Sequence, residues 1–294
     1  MNSIYDIVII GNYTKDTIES SAGIRLVDGG GFNYGAHVAA MMGLNTAAVT
    51  RLAKEDFHVV RNLEAIGVDV YPEASEFSTC LRLVYPSDNV DERTLYVMSS
   101  AGTYTPDQVK DLQAKAFLIN ASFRGEVGIN LLQELSQKDT ILSTDVQGFV
   151  RVVENGVMVY RSWEERDQVL QYIDILKTDA VEAEMLTGIS DIEEAAKILA
   201  SWGPREVLIT HRNGVMAFAE GEFYHAEFFP VELIGRSGRG DTCISAYLCR
   251  RLSKSPHESL LWAAAVTSLK MEAEGPIKRK STEVDELLNR LYRC

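Results

Sequence analysis

Apolar residues along this chain gather in short runs, and most runs are followed by a longer stretch with helical spacing. The runs at 4–10, 46–50, 116–120, 140–144, 173–177 and 206–210 read as strands, and the stretches at 56–66, 126–136, 180–186 and 192–202 read as helices. Strands apolar on both sides must be covered on both faces, and strands alternating with helices build βαβ units around a parallel sheet. The pattern predicts an α/β fold: a three-layer α/β/α sandwich with a mostly parallel central sheet.

One region departs from this rhythm. Residues 80–85 and 93–98 read as strands around the polar turn 86–92, and with a strand over roughly 18–27 they predict a small antiparallel β lid formed by about 12–30 and 78–100. Two hairpin strands alone are rarely stable in water, so this lid must pack over a ligand or against a second subunit, which makes a homodimer through the lid an expected partner. A second hairpin is expected at 214–219 and 222–226, turning at Glu220-Gly221, and amphipathic helices at 256–272 and 282–292 finish the outer layer. No repeat or linker divides the chain, so 1–294 is expected to form one domain.

Composition narrows the function. A net charge of −13 opposes binding to nucleic acid, whose affinity at physiological salt rests on neutralising phosphates. The one basic cluster, Lys278-Arg279-Lys280, is short enough to be a solvated surface. No apolar run reaches the length of a membrane span, and Asp6 interrupts the first strand, so no membrane association is expected. Cys80, Cys243, Cys249 and Cys294 show no metal-like spacing, in keeping with a cytoplasmic location.

The chemistry concentrates in Gly235-Arg236-Ser237-Gly238-Arg239-Gly240-Asp241-Thr242, where glycines flank a polar turn at the start of an apolar helix. Backbone N–H groups at a helix N-terminus are unpaired and lie in positive potential, which makes the turn an anion cradle. A carboxylate at its edge is placed to take the proton of an attacking hydroxyl, the arrangement that phosphoryl transfer requires. Taken alone, the same residues read equally well as helix capping, with Asp241 as N-cap.

Further along the chain, Gly238-Arg239-Gly240-Asp241 resembles the Gly-Ala-Gly-Asp signature of the ribokinase (PfkB) family of sugar and nucleoside kinases. Gly11-Asn12-Tyr13-Thr14-Lys15-Asp16 resembles that family's Gly-x4-Asp, and Gly29-Gly30-Gly31-Phe32-Asn33 its glycine-rich substrate loop. Asp179-Ala180-Val181-Glu182 is similar to its Asn-x-x-Glu motif, and Ala263-Ala264-Ala265-Val266 to the small-residue helix beside its adenine pocket. The resemblance implies a ribokinase-like fold and an ATP- and Mg²⁺-dependent kinase acting on a small polyol. It implies Asp241 as base, with Gly238, Arg239 and Gly240 holding the phosphoryl oxygens. Asp16, Gly30, Gly31, Asn33, Gln147 and Arg151 would bind the polyol. Asp179, Glu182, Thr210, Arg236, Gly238 and Ala264 would bind ATP, with Glu182 reaching the metal through water. Thr79 is a further candidate for the substrate side, and Arg124, after the strand ending at Asn120, reads either as a phosphate contact or as a surface residue.

The chain departs from the family pattern at several positions. Gly235 stands where the family often has an acidic residue that helps hold a monovalent cation, Arg239 replaces the usual alanine, and Asp179 the usual asparagine. The departures suggest that Arg236 or Arg239 takes over part of a bound cation's work. Together with Asp145-Val146-Gln147-Gly148-Phe149-Val150-Arg151 they resemble the inositol-kinase-like branch. The alternatives are a nucleoside kinase of the same family, a non-catalytic sugar or nucleotide sensor, and a dinucleotide-binding oxidoreductase. The last would need its glycine fingerprint directly after the first strand, whereas Gly29 lies well past Gly11.

Overall fold

The computed structural model describes residues 4–87 and 93–292. In chain order its strands are β1 (Tyr5–Ile10), β2 (Thr14–Ser20), β3 (Gly23–Gly29), β4 (Thr46–Ala53), β5 (Asp69–Ser75), β6 (Thr79–Val84), β7 (Thr94–Ser99), β8 (Ala114–Ile119), β9 (Ile141–Asp145), β10 (Arg151–Glu154), β11 (Val157–Tyr160), β12 (Ile175–Asp179), β13 (Glu206–Thr210), β14 (Gly214–Ala219) and β15 (Glu222–Glu227). Nine of them form one sheet in the order β15-β14-β13-β12-β9-β8-β1-β4-β5. All neighbours from β13 to β5 are parallel, and β14 and β15 add an antiparallel hairpin at one edge.

β1 shows why this sheet carries helices on both sides. Because side chains alternate along a strand, Ile7 and Ile9 enter the core beneath the helices Gly31–Met41, Arg239–Arg251 and Pro256–Met271, while Val8 and Ile10 enter the core beneath Ile129–Ser136 and Ile192–Ser201. All four are fully buried. Two cores with a sheet between them make the expected three-layer α/β/α sandwich.

The remaining strands form a second, six-stranded sheet in the order β10-β11-β7-β6-β2-β3. It corrects the sequence reading in three ways. The segment 18–27 is not one strand but a hairpin that turns at 21–22 between β2 and β3. The sheet is not wholly antiparallel, since β2 and β6 run parallel. It also recruits the unforeseen hairpin β10–β11. Part of the expected turn at 86–92, residues 88–92, lies outside the described residues, as does Cys294. Asp16, Ile18, Leu81, Leu83, Leu95 and Val97 share one face of this sheet by register, and Leu81, Leu83 and Leu95 turn it toward the open cavity described next.

Candidate active site

A cavity of about 630 Å³ lies between the carboxyl ends of the parallel strands and the inner face of the six-stranded sheet. Ligands of open α/β sheets bind at this edge, where strands stop and helix N-termini begin. The helix Arg239–Arg251 starts here, with Gly238 as its N-cap at φ 77°. A side chain at 238 would be strained by that left-handed backbone and would collide with the Tyr34 ring. Asp241 is therefore a first-turn residue and not the N-cap that the capping reading required.

Asp241 lines the cavity, and its Oδ1 accepts a hydrogen bond from Gln147 Nε2 at 3.2 Å. Burial, then the negative charge of Asp145, push its pKa above the ordinary carboxylate value, while Lys177 and Arg151 oppose the shift. Lys177 in the middle of β12 pairs with Asp145 at the end of β9, Nζ to Oδ2 at 2.8 Å. Both are buried, and only a glycine at 240 leaves room for the ammonium, since a Cβ there would lie 2.6 Å from Lys177 Nζ. A cation is thus held beneath the N-terminus of the helix.

Asp16 lines the same cavity from β2. The residue is 6% exposed, and its Oδ1 is buried with no hydrogen-bond partner among the described residues. Burial raises its pKa to about 7, opposed by a hydrogen bond from Thr14 and the charge of Arg93, and reinforced by Asp241. The two aspartates are thus near enough for their charges to interact. Gly30 (φ 93°) and Gly31 also line the cavity, and a Cβ at either would strike backbone or side-chain atoms, of Asn12 and Asn120 respectively.

Asp179, Thr210 and Arg236, expected at the ATP, and Arg239, expected at the phosphoryl oxygens, also line the wall, together with Arg151, expected at the polyol, and with Lys177. Asp179 caps the helix Ala180–Thr187 by accepting from Glu182 N, and Glu182 returns a bond to Asp179 N. Glu182 is fully buried and binds Arg151 Nη2 at 3.1 Å, so the pair is not a solvated acidic face. Its pKa rises to about 7 through burial, against the pull of Arg151.

Three expected site residues do not line the cavity. Glu182 points into the protein toward Arg151. Asn33 is buried and donates to the Asp28 carbonyl at 3.0 Å, holding the hairpin end to the helix Gly31–Met41. Ala264 is fully buried in the core beneath the sheet. The two further candidates also stand apart: Thr79 Oγ1 accepts from Ala101 N, and Arg124 donates to the carbonyls of Phe149 and Ser162. Arg279 is tied to Glu272 and Glu283, which makes the basic cluster a surface feature. Arg93 and the β11 residues Met158 and Tyr160 line the cavity and were missed as cavity residues. The strands read at 140–144 and 173–177 already place Asp145 and Lys177 at the edge where such sheets bind ligands; of the two, Lys177 lines the cavity and Asp145 is its ion-pair partner. After β1 the chain enters β2, not a helix, which removes the dinucleotide-binding reading.

Residues 7–283 match the model of the pfkB family carbohydrate kinases. The chain is 27% identical over 257 residues to a cytidine kinase of Thermococcus kodakarensis, covering 83% of this chain and 87% of that protein. It is 28% identical over 175 residues to a ribokinase of Staphylococcus aureus, covering 56% of this chain and 53% of that protein. Among solved structures it superposes with TM-score 0.88 and 35% identity on a pyrophosphate-dependent kinase in the ribokinase family complexed with a pyrophosphate analog and myo-inositol, covering 95% of this chain and 99% of that one. The Arabidopsis thaliana ribokinase complexed with ribose and ATP shares the fold at TM-score 0.77 and 20% identity, covering 97% and 99% of the two chains. The chain belongs to the PfkB family of carbohydrate kinases and is a sugar or nucleoside kinase.

Proposed function

We propose that this kinase moves a phosphoryl group from inorganic pyrophosphate to a hydroxyl of a small polyol of the inositol type. The observation that carries the reading is that Asp16 and Asp241 line one cavity, with the Gly238–Asp241 turn beside them. Asp16 accepts hydrogen bonds from neighbouring hydroxyls of the polyol. Asp241 takes the proton of the attacking hydroxyl, and the amides of Gly238, Arg239 and Gly240 hold the phosphoryl oxygens as charge spreads over them. Leu81, Leu83 and Leu95 line the lid side, which suits exclusion of water from the transfer.

Pyrophosphate is favoured over the ATP expected from sequence by two features of the donor end. Cationic side chains of Arg151, Lys177, Arg212, Arg236 and Arg239 line it. Ala264, expected beside an adenine, lies sealed in the core. The pyrophosphate-dependent relative supports the same choice. Asp179 fits the role of ordering the waters of Mg²⁺, since it lines the cavity and such an ion keeps most of its own water. When bound, Mg²⁺ neutralises charge on the phosphates. The edge strand β3 is suited to pairing with a second copy.

The test supplies Mg²⁺ with pyrophosphate or ATP to myo-inositol, ribose and cytidine, and measures the phosphorylated product. Turnover of myo-inositol with pyrophosphate is expected, and turnover confined to ATP with cytidine would overturn the proposal. Asp241→Asn is expected to lower kcat by about 10²- to 10⁴-fold, the usual worth of a general base.

A further inference from the structure

Among the described residues Lys270 is the most deeply buried cation outside the cavity wall, at 1% exposure in the last turn of the helix Pro256–Met271. An isolated ammonium in such a place is costly unless its protons find acceptors. Its Nζ donates to the carbonyl of Gly235 at 2.7 Å and also to the carbonyl of Ser237. The Tyr34 ring closes a third side, with its centroid 5.2 Å from Nζ. Two carbonyls and a ring face around one positive charge form the kind of coordination shell that a bare monovalent cation takes.

The surroundings fix this shell at the phosphoryl-holding turn. Ile234 N and Gly235 N both donate to the Met271 carbonyl, at 2.9 and 3.0 Å, so the turn begins against the end of the helix that carries Lys270. Gly235 has no space for a side chain, because a Cβ would collide with the Ala273 carbonyl. No acidic side chain can therefore stand there to help hold a separate ion. Tyr34 in turn packs against Gly238, the N-cap of the helix bearing Asp241. Burial draws the Lys270 pKa down to about 8, while the charges of Glu274 and Asp241 hold it up.

We infer that Lys270 is a built-in monovalent cation, a positioning residue that sets the 235–238 backbone and its field so that the turn receives the phosphoryl group without K⁺. This role replaces the one that the sequence suggested for Arg236 or Arg239. It rests on the turn being the phosphoryl-holding element, and the experiment separates the two.

Phosphorylation of myo-inositol by pyrophosphate is measured in NaCl, KCl, NH₄Cl and methylammonium chloride, alongside Tm. The wild-type protein is expected to be indifferent to the cation. Lys270→Ala is expected to lose about 10²-fold in kcat in NaCl, as for loss of a preorganised electrostatic group, with little change in the polyol KM. KCl, NH₄Cl or methylammonium is expected to restore at least several-fold of that loss. Lys270→Met, which fills the space with hydrocarbon, is expected to fold and to resist rescue. A wild-type protein that needs K⁺, a folded Lys270→Ala with full turnover, or one that is inactive and unmoved by every cation would each overturn the inference. Should neither variant fold, cation dependence of the wild-type protein decides. If the turn is not the phosphoryl site, Asp241→Asn keeps its turnover; if only the lysine inference fails, Asp241→Asn stays inactive.

Discussion

Asp16 shows a single side chain set against the stability of the fold that holds it. Its pKa stands near 7 mainly because burial disfavours the carboxylate. A polyol hydroxyl binds the ionised form, so polyol affinity should fall as pH drops below about 7. Asp16→Asn keeps the shape, loses that charge, and is expected to lower kcat/KM by about 10²-fold while flattening the acid side of its pH profile. The stability consequence has the opposite sign. A carboxyl whose pKa is raised on folding contributes stability that is complete below about 4 and lost as pH rises through about 7. Asp16→Asn should therefore raise Tm relative to wild type at pH 8 more than at pH 5, measured by calorimetry. An equal change at both pH values would show that Asp16 is not held in the raised state.

The elements that sequence revealed are those whose patterns are local. β13 coincides with the expected 206–210, because a strand buried on both faces must be an unbroken apolar run. β10–β11 was equally local and still missed, although Asn155 and Gly156 turn it with positive φ, 50° and 78°, as an Asn-Gly hairpin does. By contrast, the parallel pairing of β2 with β6 depends on contacts between distant segments, and no residue spacing announces it. The site divides the same way. Asp241 and its glycines stand in one short stretch, whereas Lys270 is a lone lysine in an apolar helix whose partners lie 33 to 35 residues away. Arg124 misled because a basic residue after a strand says nothing of the carbonyls that capture it. The helix start itself offers a test. Gly238→Ala must adopt φ 77° against a cost of about 1–2 kcal/mol and displace the Tyr34 ring. Loss of kcat is expected to exceed what the drop in Tm explains, because the displaced amides are those that face the phosphoryl group. Wild-type turnover would remove the turn from the mechanism.

For the whole molecule, the open question is what covers the outside of the six-stranded sheet. β3 is its terminal strand, so one side of its backbone has no strand partner in the sheet order. Ile24 and Leu26, two residues apart and hence on one face, are 71% and 72% exposed. An exposed apolar edge strand is a standing invitation to pair, and proteins that keep one generally use it. A second copy is the proposed occupant. Opposing it is the net charge of −13, which makes two copies repel through solvent until salt screens them. Association through this edge should therefore strengthen from low to physiological ionic strength. Sedimentation of the wild-type protein is expected to show a dimer that loosens at low salt, and Ile24→Lys with Leu26→Lys is expected to give a monomer at every salt concentration tested. Because neither residue lines the cavity, the monomer should retain the shape of the phosphoryl-holding turn. Its kcat should then match that of the wild-type protein, while any rise in polyol KM would measure how much the second copy steadies β2 and Asp16. A dimer that survives both substitutions would place the interface elsewhere on the chain.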